Sequence, residues 1–317
     1  MPALPQRRIG EHGPLTGVLS LGSWHTYDRM DFGEAVRMLR TAVDAGITLF
    51  DVGVYGLPGA TPVFTDVLFS AMVRAAGLRR EDYLLSSKLW LEGYPERELR
   101  PQLENALFRA GVEHADLVIL GDLRRDDTDL RALVRDLAAL RDAGLLRQWG
   151  VNNWSATTVR AVHDFAKADG LPGPAIAQLK HSVARRSIPD GAPFATVFGE
   201  LGVTLQSSDI FEGGLLLGKS GRQIGRDPGG VRAAITASAP EVERIATELD
   251  ATPAQLCLAF TLTHPAHTTT LFGATSTAQL QENLGAVDLL DRVGADRLRE
   301  LVRPLWADRD VVDPEGP

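Results

Sequence analysis

Residues 31–53 read "DFGEAVRMLRTAVDAGITLFDVG", and a change of period inside this stretch decides the fold. Phe32, Val36, Leu39, Ala42 and Val43 recur at spacings of three and four, which predicts a helix with one buried stripe. Asp31 is placed to cap its start and Gly46 to stop its end. From Ile47 the pattern becomes a short apolar run, 47–53, of strand length. The same alternation fills the chain. Strand-like runs stand at 17–23, 47–53, 83–88, 115–121, 147–152, 175–180, 203–208 and 268–273, with longer amphipathic stretches between them. Eight such units predict a parallel sheet closed on itself, the (β/α)8 or TIM barrel, occupying 1–317 as a single domain. An open doubly wound sheet would need a Gly-rich phosphate turn after its first strand, and "LGSWHTYDRMD" (21–31) has none. The preceding "RRIGEHGPLTG" (7–17) reads as a β-hairpin turning at His12-Gly13, suited to cap the barrel bottom. After the seventh strand, "GKSGRQIGRDPGG" (218–230) is a Gly- and charge-rich loop.

Composition narrows the partners. The chain has 317 residues, 44% hydrophobic and 23% charged, with a net charge of −8. With no basic block, nucleic acid and anionic membrane are disfavoured, and a small-molecule substrate is expected. Cys257 is the only cysteine, so neither a disulfide framework nor a Cys-based zinc site can form, as in a reducing cytoplasm. No metal site is expected. The N-terminus lacks a signal peptide's apolar core, and no uninterrupted run reaches the roughly 18 apolar residues of a membrane span. A cytoplasmic location is expected, and the oligomeric state is left open.

Barrel enzymes carry their chemistry at the C-terminal strand ends. The polar and aromatic residues there are Trp24, Asp51, Tyr55, Lys88, Asn152, Asn153, Gln178, Lys180, Asp209 and Thr275. Lys88 emerges from "YLLSSK" into a partly enclosed mouth and needs a partner, for which Asp51 on the neighbouring strand is the candidate. A cation beside a phenol lowers its pKa from about 10, which would make Tyr55 a proton donor to a carbonyl. The plainer alternative is a surface salt bridge beside a packing tyrosine. Trp24, His25, Tyr27, Trp90, Tyr94 and Trp306 are candidates for an aromatic mouth or for loop packing. His181, Arg185 and Arg186 in "KHSVARRS" either attract an anionic substrate or are solvated.

The segments "LGSWHTY", "AGITLFD", "SSKLW", "GVNNWS", "GGLLLGK" and "LFGATSTAQLQENLGA", in this order between Gly22 and Asn283, resemble the aldo-keto reductase superfamily. The likeness is closest to the branch holding the voltage-gated potassium channel beta subunits and bacterial relatives. It implies NADP(H) lying extended across the barrel mouth and metal-free hydride transfer to an aldehyde or ketone. It also implies a tetrad of Asp, Tyr, Lys and His. Asp51 and Lys88 match two members. Tyr55 matches the third at a spacing of four from the acid, where the family has five, and "GLPGATPVF" (56–64) is longer than the family's turn. Gly53 and Gly56 flank the tyrosine and let the loop bring its hydroxyl back into place. The histidine is replaced by Gly121. That removes a hydrogen-bond donor to the substrate oxygen, or opens room for a bulky substrate.

The resemblance assigns cofactor contacts to Gly22, Ser23, Trp24, Asp51, Asn152, Asn153, Gln178 and Ser208. Asp209, Ile210, Phe211, Glu212 and Gly214 fall where the family lines the pyrophosphate. Two carboxylates there are unfavourable unless paired, and Lys180 is expected to neutralise Asp209. Lys219 matches a phosphate-binding lysine, and Gly273, Thr275, Gln279, Glu282 and Asn283 match the adenosine end. A helix N-terminus near Thr275 would favour an anion. With no arginine in 273–283, preference for a 2′-phosphate rests on Lys219 and Arg226. Trp24, Tyr55, Trp90 and Gly121 are the expected substrate contacts. The expected activity is NADP(H)-dependent interconversion of a carbonyl and an alcohol with Tyr55 as proton donor. The alternatives are an isomerase, epimerase or lyase that retains its nicotinamide, and a slow or non-catalytic cofactor-binding regulator.

Overall fold

The computed structural model describes residues 3–56, 61–219 and 226–317. Two short strands, β1 (Gln6–Arg8) and β2 (Leu15–Gly17), pair antiparallel. The barrel strands are β3 (Leu19–Gly22), β4 (Leu49–Val52), β7 (Leu84–Leu89), β8 (Ala115–Leu120), β9 (Leu146–Asn152), β10 (Ile176–Lys180), β11 (Thr204–Ser208) and β12 (His267–Phe272). All neighbouring barrel strands are parallel, and β12 returns to β3 to close the ring in chain order. Between β4 and β7 lies a second small hairpin, β5 (Val54–Tyr55) and β6 (Val63–Phe64). The outer ring contains α1 (Phe32–Asp44), α2 (Thr65–Ala76), α3 (Leu99–Ala110), α4 (Leu130–Asp142), α5 (Ala156–Asp169) and α6 (Ala192–Glu200). It continues with α7 (Arg232–Ala237), α8 (Ala239–Glu248), α9 (Pro253–Leu262), α10 (Thr277–Val293) and α11 (Ala295–Leu301). The closed parallel barrel predicted from the alternation is the fold.

Local signals act as read, with one rotation. Asp31 caps α1 by accepting from the Glu34 amide at 3.1 Å, and Gly46 takes φ 93°, a left-handed conformation that suits glycine. The buried face of α1, however, is Ala35, Met38, Leu39 and Ala42, while Phe32 is 51% exposed. Met38 and Ala35 extend the stripe on the side away from Phe32, so the face is turned from the one predicted. Strands such as β8 are buried along their whole length, as a sheet covered on both faces requires.

The β1–β2 hairpin closes the N-terminal end of the barrel. The Gly10 amide donates to Thr204 Oγ1 at 3.0 Å, and Thr268 Oγ1 donates to the Arg8 carbonyl at 3.1 Å. Both partners stand at strand starts. The opposite end is left to the strand-to-helix loops. There the segment after Asp51 is a hairpin rather than a plain loop, with Tyr55 opposite Val63. The middle of the 56–64 stretch and of the 218–230 loop lies outside the described residues. Among the described residues no helix is long and apolar enough to cross a membrane.

Candidate active site

Strand register builds the centre. Asp51 lies opposite Ser86 on β7, and the Ser86 hydroxyl donates to Asp51 Oδ1 at 2.7 Å. Lys88 is two residues further along β7, and so faces the same side. Its Nζ stands 3.4 Å from Asp51 Oδ2 and donates to Gln178 Oε1 at 2.5 Å. Gln178 in turn donates to Gln206 Oε1 at 2.6 Å, across the paired strands β10 and β11. Asp51 is fully buried and Lys88 nearly so, and each needs the other for that reason. The sequence-predicted pairing of the acid and the lysine is present. Gln178 is engaged by Lys88 and Gln206.

Tyr55 sits between two indoles, its ring centroid 6.4 Å from that of Trp24 and 6.2 Å from that of Trp90. Gly53 lies beside the Lys88 and Tyr55 side chains; a Cβ there would stand 3.4 Å from Lys88 Cβ and 3.8 Å from Tyr55 Cζ, which are ordinary contact distances. The phenol is not activated as expected. Burial raises its pKa well above 10, the Asp51 charge raises it further, and a hydrogen bond with Ser23 offsets only part. The physical reason is that the Lys88 ammonium is drawn to Asp51 and Gln178, while the phenol is turned to Ser23. Ser23 itself is wholly buried and bonded to Thr65 Oγ1 at 2.6 Å, which ties it to the protein interior.

Other aromatic assignments change. Tyr27 is buried; its pKa is raised by burial and then by Asp51, and its hydroxyl finds no partner among the described residues. Tyr94 is also buried and donates to Asp136 at 2.8 Å. Trp306 donates to Ser187 Oγ at 3.2 Å and lies under the Arg186 guanidinium. Trp24 and Trp90 are the two indoles at Tyr55, and His25 stacks on Trp24.

Gly121 is not open room. A Cβ there would stand 2.7 Å from Trp90 Cε3, and the indole is held by a 3.1 Å hydrogen bond from Nε1 to the Val54 carbonyl. Trp90 therefore covers the face assigned to substrate. Gly121→His is expected to push Trp90 against Val54 and Tyr55 and to lower turnover rather than restore a donor. Steady-state rates of Gly121→His, alone and with Trp90→Leu, check this, with recovery expected only when the indole is gone.

At the ends of β9, β10 and β11 the two expected acids behave differently. Lys180 Nζ lies 2.5 Å from Asp209 Oδ2, so Asp209 is neutralised as anticipated. Glu212 does not line a phosphate channel. It is buried, accepts from Arg185 Nε at 2.9 Å and from Ser182 Oγ at 3.0 Å, and burial raises its pKa despite the arginine. Arg185 also pairs with Asp227, and Arg186 is buried against the Val183 and Val302 carbonyls and the Phe260 ring. His181 is fully buried on Ser207 Oγ. These three neither attract substrate nor face solvent. Ile210 is buried, Phe211 partly so, and Gly214 takes φ 98° against the Lys219 stem. Ser208 donates to the Leu179 carbonyl, and Lys219 is exposed.

The asparagines sit where the strand ends were expected to place them. Asn153 accepts the Lys180 amide at 3.1 Å, and Asn152 donates to Asp122 Oδ1 at 2.6 Å. Arg226 is 3.6 Å from Asp122 Oδ2, so its charge goes to the end of β8 rather than to the adenosine end. Gly22 packs on the Leu271 side chain, and Gly273 on Thr26. At α10, Thr275 bonds to Gln279 Oε1, Glu282 is exposed with its carbonyl taken by Gln255, and Asn283 is buried. The helix N-terminus expected to hold an anion already holds one: the Thr277 amide donates to Glu34 Oε1 at 2.7 Å.

A nicotinamide dinucleotide fits this donor set at its middle. Asp209 is offset by Lys180 and Glu212 is turned inward onto Arg185, so the two acids that would oppose a diphosphate are each paired. Asn152, Asn153 and Lys219 stand at the strand ends and loop that would hold it. Among the described residues no group of three or more His, Cys, Asp or Glu is placed to hold a metal ion.

The pattern of the Aldo/keto reductase family matches residues 18–302. A Schizosaccharomyces pombe protein whose name assigns it to the voltage-gated potassium channel beta subunits is 26% identical, over 94% of this chain and 92% of its own. An Arabidopsis thaliana protein named in the same way is 24% identical, over 94% of this chain and 96% of its own.

Proposed function

Because the chain belongs to the aldo/keto reductase family, we propose that it is an NADP(H)-dependent oxidoreductase interconverting an aldehyde or ketone and an alcohol. The general activity of the family is NAD(P)-dependent oxidoreduction. The observation that carries the proposal is the buried Asp51–Lys88 pair with the Tyr55 phenol beside it, between Trp24 and Trp90. When bound, the nicotinamide supplies or accepts the hydride. Tyr55, kept protonated by burial and by Asp51, donates its proton to the carbonyl oxygen. The Lys88–Asp51 ion pair lies next to it, and the Trp24 and Trp90 rings flank the phenol. Lys219 serves the 2′-phosphate in this reading. A cytoplasmic setting and a small-molecule substrate belong to the same proposal.

A second reading has a specific support. With Trp90 over Gly121, this position supplies no side-chain donor to a substrate oxygen, so transition-state charge is less well stabilised. The two relatives carry the names of channel subunits rather than of enzymes, which supports reading this chain as a regulator. Steady-state NADPH oxidation against a panel of aldehydes and ketones tests the first reading. Consumption matched by alcohol formed is expected, and no consumption with any member rejects it.

A further inference from the structure

We propose that Glu34 is a specificity-determining residue that limits this chain's discrimination between NADP(H) and NAD(H), by occupying the α10 N-terminus that would otherwise receive the 2′-phosphate. The inference rests on the cofactor reading above.

Barrel phosphate sites recur in the loops after the seventh and eighth strands and at the helix N-terminus that follows. Here the eighth strand is β12 and the helix is α10. Three backbone amides at its start are already given to side-chain acceptors. The Thr277 amide is given to Glu34 Oε1 at 2.7 Å, the Gln279 amide to Ser276 Oγ at 3.2 Å, and the Thr275 amide to Gln279 Oε1 at 3.0 Å. Glu34 comes from α1, so one side chain crosses from α1 to α10. Its second oxygen, Oε2, takes Arg37 Nη2 at 2.7 Å and Nε at 3.1 Å. The same carboxylate thus fills the helix end and engages an adjacent guanidinium. Hydrogen bonds from Thr277 and then Arg37 hold its carboxyl below the usual range, so it is charged at neutral pH.

A phosphate brought to this end meets a carboxylate, two engaged first-turn amides and an engaged arginine. A ribose bearing two hydroxyls meets an acceptor instead. Removing only the charge should lift the repulsion on a phosphate and loosen Arg37, while the amide oxygen can still accept from Thr277. NADPH and NADH are titrated by fluorescence into the native protein, Glu34→Gln and Glu34→Asp, with thermal unfolding recorded for each. Glu34→Gln is expected to tighten NADPH by about five- to tenfold at low salt, with NADH moving less than about twofold. The gain should shrink at high salt, and Glu34→Asp should keep the native ratio. If NADH binding is intact while NADPH affinity is unchanged or weaker in Glu34→Gln, the role of Glu34 is wrong and the cofactor reading stands. If the native protein binds neither at submillimolar concentration, both fall.

Discussion

Tyr55→Phe is expected to lower carbonyl turnover by about 100-fold or more, the usual contribution of a positioned general acid. The substitution keeps the ring between Trp24 and Trp90 and removes only the hydroxyl that meets Ser23. The stability cost should therefore be near the net worth of one hydrogen bond, about 1 kcal/mol, and cofactor affinity should hardly move. The pH profile separates this phenol from one activated by a lysine. Burial and Asp51 raise the Tyr55 pKa well above 10, so the donor stays protonated and reduction should not fall between roughly pH 7 and pH 9. A rate for Tyr55→Phe equal to that of the native protein would make the tyrosine a packing residue.

Arg185→Met is expected to destabilise the protein by about 3–5 kcal/mol, because it leaves the Glu212 carboxylate buried without its partner. The effect reaches the active-site loop, since Arg185 also holds Asp227 and the Pro228 carbonyl. Its pH dependence has a definite sign. Burial raises the Glu212 pKa in the folded state, so the folded protein binds a proton more readily than the unfolded one. The loss should be small in acid and grow as pH rises above the ordinary carboxyl range. Urea unfolding at several pH values measures it, and Arg185→Met with Glu212→Gln should recover much of the stability. Equal losses at all pH values would show that Glu212 is not the group left uncompensated.

The barrel was legible because apolar runs and amphipathic stretches alternate from Gly17 to Gly273. The Asp51–Lys88 pair was legible too, because adjacent strand ends in a parallel barrel are neighbours by topology. What sequence reasoning missed is governed by packing between distant segments. Arg185, Arg186 and His181 look like a solvated basic cluster, yet their partners Glu212, Val302 and Ser207 lie 26 to 116 residues away. Gly121 reads as open space until Trp90 is seen against it, a consequence of the β5–β6 hairpin that holds the indole. Glu34 carries no mark of its own in the sequence. Only the packing of α1 beside α10 brings it to Thr277.

The most direct measurement follows the hydride itself. NADPH carrying deuterium at the reactive carbon of the nicotinamide is incubated with the protein and an accepted aldehyde or ketone, and the product is examined by mass spectrometry. Deuterium on the carbinol carbon, in step with NADPH consumed and lost in proportion to rate in Tyr55→Phe, is the predicted result. Product formed without label and without cofactor consumption would contradict the oxidoreductase account and leave the barrel to a different chemistry.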